Sequence, residues 1–206
     1  MREADVQMCI RYGADVVGFV AEYPRPVPWN LSAGAARALI ASAGSAAETC
    51  VVTGGAPEKI FRLALETGTD YVQLHFGESL NDTARLVREL HPRGVKVIKT
   101  LFPDTPDLEK ATAEFCAAGV YALLFDPRRP ENAAEGGAAD LSVFRALQNA
   151  VSCPVILAGG ITPENAAEIV RAAEPQMIDL MTGVEFSPGV KDEAKVTALF
   201  ETLKEF

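Results

Sequence analysis

The sequence predicts an α/β barrel, and three observations lead there. Short β-branched runs alternate with longer amphipathic segments at near-uniform intervals. The runs are apolar nearly throughout, which implies strands buried on both faces and therefore a parallel sheet covered by helices. The glycine-rich turns come late, in "VILAGG" and "IDLMTG", whereas an open doubly wound nucleotide fold places its glycine turn after the first strand. The prediction is a (βα)8 TIM barrel with an incomplete first strand: seven parallel strands and eight helices in one domain spanning residues 1–206.

The chain opens on a helix (Arg2 to Tyr12) stopped by the glycine of "YGAD", where the left-handed conformation is least strained. The strand "DVVGFV" (Asp15 to Val20) comes next, then a helix from Ser32 to Ala43 and the strand "TCVVT" (Thr49 to Thr53). A helix from Pro57 to Thr67 stops at Gly68 and leads to "YVQLH" (Tyr71 to His75), the helix Leu80 to Leu90 and "VKVIKT" (Val95 to Thr100). The helix Asp107 to Ala118 stops at Gly119 before "VYALLF" (Val120 to Phe125), and the helix Leu141 to Ala150 precedes "PVILA" (Pro154 to Ala158). In "TPEN" the Thr162 hydroxyl is expected to cap a helix from Pro163 to Ala172, with Pro163 at the first helical position, where its missing N–H is no loss. "MIDLM" (Met177 to Met181) and a helix from Glu193 to Lys204 end the series.

A barrel needs eight strands, and this one begins with a helix. Counted from a missing first strand, "VILAGG" is strand seven and "IDLMTG" strand eight, the pair after which barrels commonly hold phosphate. Glycine lets the backbone adopt positive φ and approach an anion, and helix starts beyond the turns add a favourable dipole. Gly159, Gly160, Gly183 and Val184 are therefore the candidate phosphate cradle; the alternative is two tight turns without function.

Composition narrows the partners. The formal net charge of -9 lacks the basic face that nucleic acid demands, while one local group of N–H donors can still hold a small anion. No stretch approaches about 18 uninterrupted apolar residues and no signal peptide is evident, so a cytoplasmic location without membrane contact is expected. Cys9, Cys50, Cys116 and Cys153 form no CxxC pair and there are two histidines, which argues for free thiols and no metal site.

Asp126 ends the apolar run "LLFD", where it meets a loop of about 14 residues containing Gly136 and Gly137, long enough for a lid. Burial by the strand ends is expected to raise the Asp126 pKa and suit it to donate a proton; the competing role is to start a turn before Pro127.

The segments "GADVVGFV", "VQLH", "VIKT", "LLFD", "LAGGITPENAAEIV" and "TGVEFSPGVKD" together resemble the phosphoribosylanthranilate isomerase family, over nearly the whole chain and most densely from Ala122 onward. The resemblance implies an Amadori rearrangement in tryptophan biosynthesis, with a phosphosugar substrate, no cofactor and no metal. Ring-oxygen protonation opens the ribose to a Schiff base, and removal of the C2′ proton yields the enolamine. It implies Asp126 as general acid, backbone amides at Gly159, Gly160, Gly183 and Val184 as the phosphate site, and Asp179 near the substrate; Gln73 and His75, by their places near strand ends, are further candidates for substrate binding. His75 and Lys99 are expected to line the pocket or satisfy a local hydrogen bond, and Asp179, inside a strand, must be paired.

Two departures qualify the resemblance. The family's base is a cysteine on a first strand, "KICG", and Met1 falls where the loop after it should be. Cys9 lies mid-helix on the face with Val6 and Gly13, so it reads as core filler. The family's "SPR", whose arginine pairs with the substrate carboxylate, is replaced by "AEYPRPVPWNLS". There Arg25 either reaches that carboxylate or is solvated, and Trp29 either stacks on a ring or anchors the loop. The expectation is an isomerase impaired without its first strand, with a homodimer across the open edge as corollary. The alternatives are a non-catalytic phosphosugar-binding or interaction protein derived from this isomerase and another phosphate-binding barrel enzyme.

Overall fold

A computed structural model describes residues 1–128 and 137–206. Seven strands, β1 (Val16–Val20), β2 (Glu48–Thr53), β3 (Tyr71–Leu74), β4 (Lys96–Leu101), β5 (Ala122–Phe125), β6 (Val155–Ala158) and β7 (Met177–Asp179), form one parallel sheet in sequence order. The helices between and around them are α1 (Glu3–Tyr12), α2 (Ala33–Ala43), α3 (Pro57–Thr67), α4 (Leu80–Leu90), α5 (Leu108–Ala117), α6 (Leu141–Ala150), α7 (Ala166–Ala173) and α8 (Glu193–Leu203). A small antiparallel hairpin, β8 (Glu185–Ser187) and β9 (Val190–Lys191), stands before α8. The seven parallel strands and eight α-helices are those expected. The proposed lid falls largely on residues 129–136, outside the described residues.

Local chemistry explains most boundaries. Ser32, Ser79, Asp140 and Asp192 accept hydrogen bonds from the first-turn N–H groups of α2, α4, α6 and α8, satisfying donors that a helix start otherwise leaves bare. Gly13, at φ 103°, and Gly68, at φ 70°, end α1 and α3 in the left-handed conformation.

Many boundaries differ from expectation by a residue, β5 begins two residues later, and two further shifts have a local cause. α7 begins at Ala166 and not at Pro163, because Asn165 organises the turn before it: Oδ1 accepts from Thr162 N at 2.7 Å and Nδ2 donates to Gly160 O at 2.8 Å. The Thr162 hydroxyl instead faces the Glu164 carboxylate. β7 stops at Asp179, two residues short of Met181, since its partner β6 ends at Ala158 and the chain there turns through Gly159 at φ +91°.

Residues two apart along each strand share a face, and the strands divide accordingly. Val97, Leu101, Leu123, Phe125, Val155 and Leu157 point to the helices and join the main core, whose buried side chains include Leu86, Leu90, Phe144 and Leu147. Ile98, Leu124, Ile156, Ala158 and Tyr71 face the interior of the curled sheet. Each large apolar side chain so buried contributes ~1.5–3 kcal/mol.

The sheet and the helical layer close differently. Among the described residues, β1 pairs only with β2 and β7 only with β6. The helices do meet across that gap, because α1 reaches α8: Arg11 and Tyr12 both bind Glu193, and Asp5 Oδ1 accepts from Lys191 N at 3.4 Å. The segment after β1 covers the upper end of its free edge, with Leu31 N donating to Val20 O at 2.9 Å and Glu22 N to Leu31 O at 3.0 Å. Behind α1 a cavity of about 490 Å³ runs the length of the sheet interior. Cys9 packs against the cluster around Val6, as expected, and also borders this cavity.

Candidate active site

At the carboxyl end of the strands the cavity is lined by Gln73, His75, Asp126, Arg128, Asp179 and Val184. Asp126 is placed by β5: the ladder extends one residue past Phe125, with Asp126 N donating to Leu101 O at 3.1 Å. The chain then turns at Pro127 so that Arg128 folds back on the same carboxylate. Its backbone N–H reaches Oδ1 at 2.8 Å, Nε reaches Oδ1 at 3.0 Å and Nη2 reaches Oδ2 at 2.8 Å. Asp126 therefore does start a turn, and it also faces the cavity. His75 Nε2 stands 3.5 Å from Oδ2, and the ring is held on its other side by Tyr23, whose hydroxyl is 2.9 Å from Nδ1 and donates to His75 O at 3.0 Å.

Asp126 and Asp179, at the cavity's upper end, are in opposite conditions. Burial by itself would raise the Asp126 pKa, but hydrogen bonds from His75 and Arg128 and the adjacent guanidinium charge outweigh it and hold it at about 2. The expectation of a raised Asp126 pKa is thus overturned: in this geometry the group is a committed carboxylate. Asp179 departs from expectation too. It pairs through its backbone with Ala158, but its carboxyl takes part in no hydrogen bond or ion pair among the described residues. Enclosure by the cavity walls, with the Asp126 charge adding to it, pushes its pKa up despite Arg128, Lys191 and His75.

The glycine turns lie beside this cluster. Gly159 and Gly160 have φ of +91° and +70°, and a Cβ on Gly183 would fall 1.8 Å from Ile161 O, so the two turns are packed against each other. Among the described residues the N–H groups of Gly159 and Gly160 donate no hydrogen bond. Val184 lines the cavity itself, whereas Gly159, Gly160 and Gly183 are not part of its lining.

Other expected residues sort clearly. Arg25 is exposed and lies outside the lining, while Tyr23, Val27 and Trp29 of the same loop are in it. Lys99 faces away from the cavity as half of a buried ion pair, its Nζ 2.8 Å from Glu78 Oε2 and 2.9 Å from Phe76 O. The four cysteines are free thiols, although Cys116 and Cys153 are neighbours, with Cys153 N donating to Cys116 Sγ at 3.2 Å. Arg128 and Tyr23 were not singled out from the sequence. The signal for Arg128 was present in "FDPR", since an aspartate two residues before an N–H donor favours this kind of turn.

Among the described residues no helix is long and apolar enough to cross a membrane and no cluster of His, Cys, Asp and Glu could hold a metal ion.

Fold and site together define a barrel-type α/β protein whose charged groups gather at the carboxyl ends of parallel strands, where barrel enzymes carry their chemistry. Comparison with known proteins narrows the class. The family model for N-(5'-phosphoribosyl)anthranilate isomerase matches residues 4–202, and the chain belongs to that family. It is 36% identical to the N-(5'-phosphoribosyl)anthranilate isomerase of Haloferax volcanii over 208 residues, covering 98% of this chain and 89% of the relative. The crystal structure of the Thermus thermophilus phosphoribosyl anthranilate isomerase superposes with a TM-score of 0.80 at 31% identity, covering 100% of this chain and 95% of that one. The Thermotoga maritima enzyme gives a TM-score of 0.83 at 27% identity, covering 100% and 96%. A further isomerase structure, at 26% identity and TM-score 0.79 and covering 100% and 95%, is a complex with reduced 1-(o-carboxyphenylamino)-1-deoxyribulose 5-phosphate.

Proposed function

We propose that this chain catalyses the family's reaction, the Amadori rearrangement of N-(5-phosphoribosyl)anthranilate in tryptophan biosynthesis, as a single unit over residues 1–206 and as a cytoplasmic enzyme. One observation carries the assignment of roles: Asp126 faces the upper end of a cavity that Val184 also lines, with Gly159 packed against Pro127 next to it and Gly183 against Ile161. The sugar phosphate is held by the backbone of Gly159, Gly160, Gly183 and Val184. Its charge is met by N–H groups in a site that needs no side-chain cation. The ribose then lies across the cavity between Asp126 and Asp179, with Gln73 and His75 lining its path. Asp126 serves as the proton-transfer group at the ring oxygen, and Asp179 receives the sugar hydroxyls. The edges of β1 and β7 suit a homodimer contact, and one solved relative is described as monomers generated from the dimeric phosphoribosylanthranilate isomerase of Thermotoga maritima.

One observation favours the second reading, a phosphosugar-binding protein without turnover. The reaction needs a base as well as an acid. The thiols bordering the cavity, Cys9 and Cys50, have pKa values pushed up by burial, which leaves neither as a ready thiolate.

The experiment is a turnover assay with N-(5-phosphoribosyl)anthranilate beside a binding titration. Turnover that falls by about 10²–10⁴ in Asp126→Asn, the usual range for a general acid or base, supports the isomerase. Tight binding with no turnover moves the assignment to the second reading, and absence of both removes it.

A further inference from the structure

The four thiols are not in equivalent places. Cys9 and Cys50 border the cavity, where burial pushes the pKa of each up. Cys116 and Cys153 lie outside it, against the helix-facing core near the amino ends of β5 and β6, both free and half-buried. The fold holds the two together. Gly119 ends α5 at φ +86°, with its N–H donating to Cys116 O at 3.0 Å, so Cys116 stands in the last helical turn. Cys153 stands two residues before β6, and Leu123 N donates to Pro154 O at 2.9 Å to fix the strand entrance beside it.

The turn between α6 and β6 aims its donors at one sulfur. Cys153 N donates to Cys116 Sγ at 3.2 Å, and Ser152 Oγ, on an exposed residue, lies 3.9 Å from the same atom. The carboxyl end of a helix by itself disfavours a thiolate. Burial works the same way, but hydrogen bonds from the Cys153 thiol and N–H and from the Ser152 hydroxyl and N–H outweigh it and bring the Cys116 pKa below the usual thiol value. Cys153 is pushed up to about 12 by burial and by the Cys116 sulfur beside it. One thiol is readied to attack and its neighbour is kept protonated, which is the division of roles that dithiol exchange uses.

We propose that Cys116 and Cys153 form a thiol–disulfide exchange site, in which Cys116 attacks a low-molecular-weight disulfide and Cys153 resolves the product into an internal Cys116–Cys153 disulfide. The steps balance. The Cys116 thiolate forms a bond to one sulfur of the disulfide RSSR, the S–S bond breaks, and RS⁻ leaves with the electron pair and takes up the proton that Cys116 released. Cys153 then gives its proton to solvent and attacks Cys116 Sγ, expelling a second RS⁻, which is protonated in turn. The two protein thiols are oxidised and RSSR is reduced to two RSH. Cys153 Cα is one covalent bond, about 1.46 Å, from the N–H that already touches Cys116 Sγ, close enough for side-chain rotation to bring the two sulfurs together. The site is at the opposite end of the sheet from Asp126 and does not depend on the isomerase reading.

The test treats the intact folded chain with oxidised glutathione and follows free thiols and peptide masses. The expected result is loss of two of the four thiols, a peptide pair linked through Cys116 and Cys153 within one chain, Cys9 and Cys50 still reduced, and full reversal by dithiothreitol. Cys153→Ser should stop at a single glutathione adduct on Cys116, and Cys116→Ser should slow the first reaction about tenfold or more. Wild-type mapping alone decides the pairing if either variant folds poorly. Thiols that stay reduced, a first adduct on Cys9 or Cys50, linkage only between chains, or a folded Cys153→Ser variant that collects its adduct elsewhere than on Cys116 each overturns the proposal.

Discussion

The two ends of the cavity are built from similar materials and are in different states. At the amino end of the strands Tyr71, Tyr121, Lys96 and Glu48 form a closed cluster. The rings meet edge to face at 5.2 Å, Lys96 lies over both at 4.7 and 4.8 Å, and Tyr71 donates to Glu48 at 2.6 Å while accepting from Lys96 at 2.9 Å. At the carboxyl end the His75, Asp126 and Arg128 cluster is equally well bonded but has Asp179 beside it, a carboxyl with no partner among the described residues, whose ionisation the site disfavours. A satisfied network rigidifies, whereas an unpaired group at a cavity wall is a standing penalty that a ligand can relieve. The amino end therefore closes the interior, and the carboxyl end is where chemistry is expected.

The largest test of this contrast is kinetic. Asp126→Asn should lower kcat by about 10²–10⁴, while Lys96→Met at the other end should leave kcat within about twofold; steady-state assays of both variants decide it, and a comparable loss in Lys96→Met would break the distinction. The next is thermodynamic and depends on pH. The folded Asp126 pKa of about 2 lies below the ordinary 3.8, so the pair contributes about 2 kcal/mol above the unfolded value. That contribution is lost as pH falls through about 2. Asp179 is shifted the other way and destabilises once pH rises past its unfolded value, so Asp179→Asn should raise Tm at pH 7. Denaturation of both variants between pH 2 and pH 7 reads the two signs against each other. A smaller effect is expected at the turns: a methyl group on Gly183 must displace Ile161 O, and Gly183→Ala should weaken phosphate-ester binding about tenfold, or about 1.4 kcal/mol, by titration calorimetry. The smallest belongs to the amino end, where Tyr71→Phe removes the hydroxyl from Glu48 and Lys96 and should lower unfolding free energy by about 1 kcal/mol.

Much of this architecture was legible in the chain. α3, α4 and α6 match their expected limits to the residue, because each has an unambiguous start signal in Pro57, Ser79 or Asp140. The start of α7 was not legible, because Thr162 and Asn165 both offer capping oxygens and only the position of Gly160 O decides between them. At the site, Asp126 and the glycine turns could be read from their places at strand ends. Their electrostatic condition could not: the sign of the Asp126 shift depends on Arg128 and His75, of which His75 lies 51 positions away.

Local pattern by itself determined the number, kind and order of the parallel strands and the helices, since periodicity, caps and left-handed glycines act over a few residues. The tertiary structure decided which strand edges find a partner, that α1 reaches α8 while β1 and β7 stay apart, and which of two carboxyls in one cavity is pushed toward its neutral form. Those outcomes come from charges and backbone groups distant in sequence and brought within a few ångströms, where burial magnifies every interaction between them.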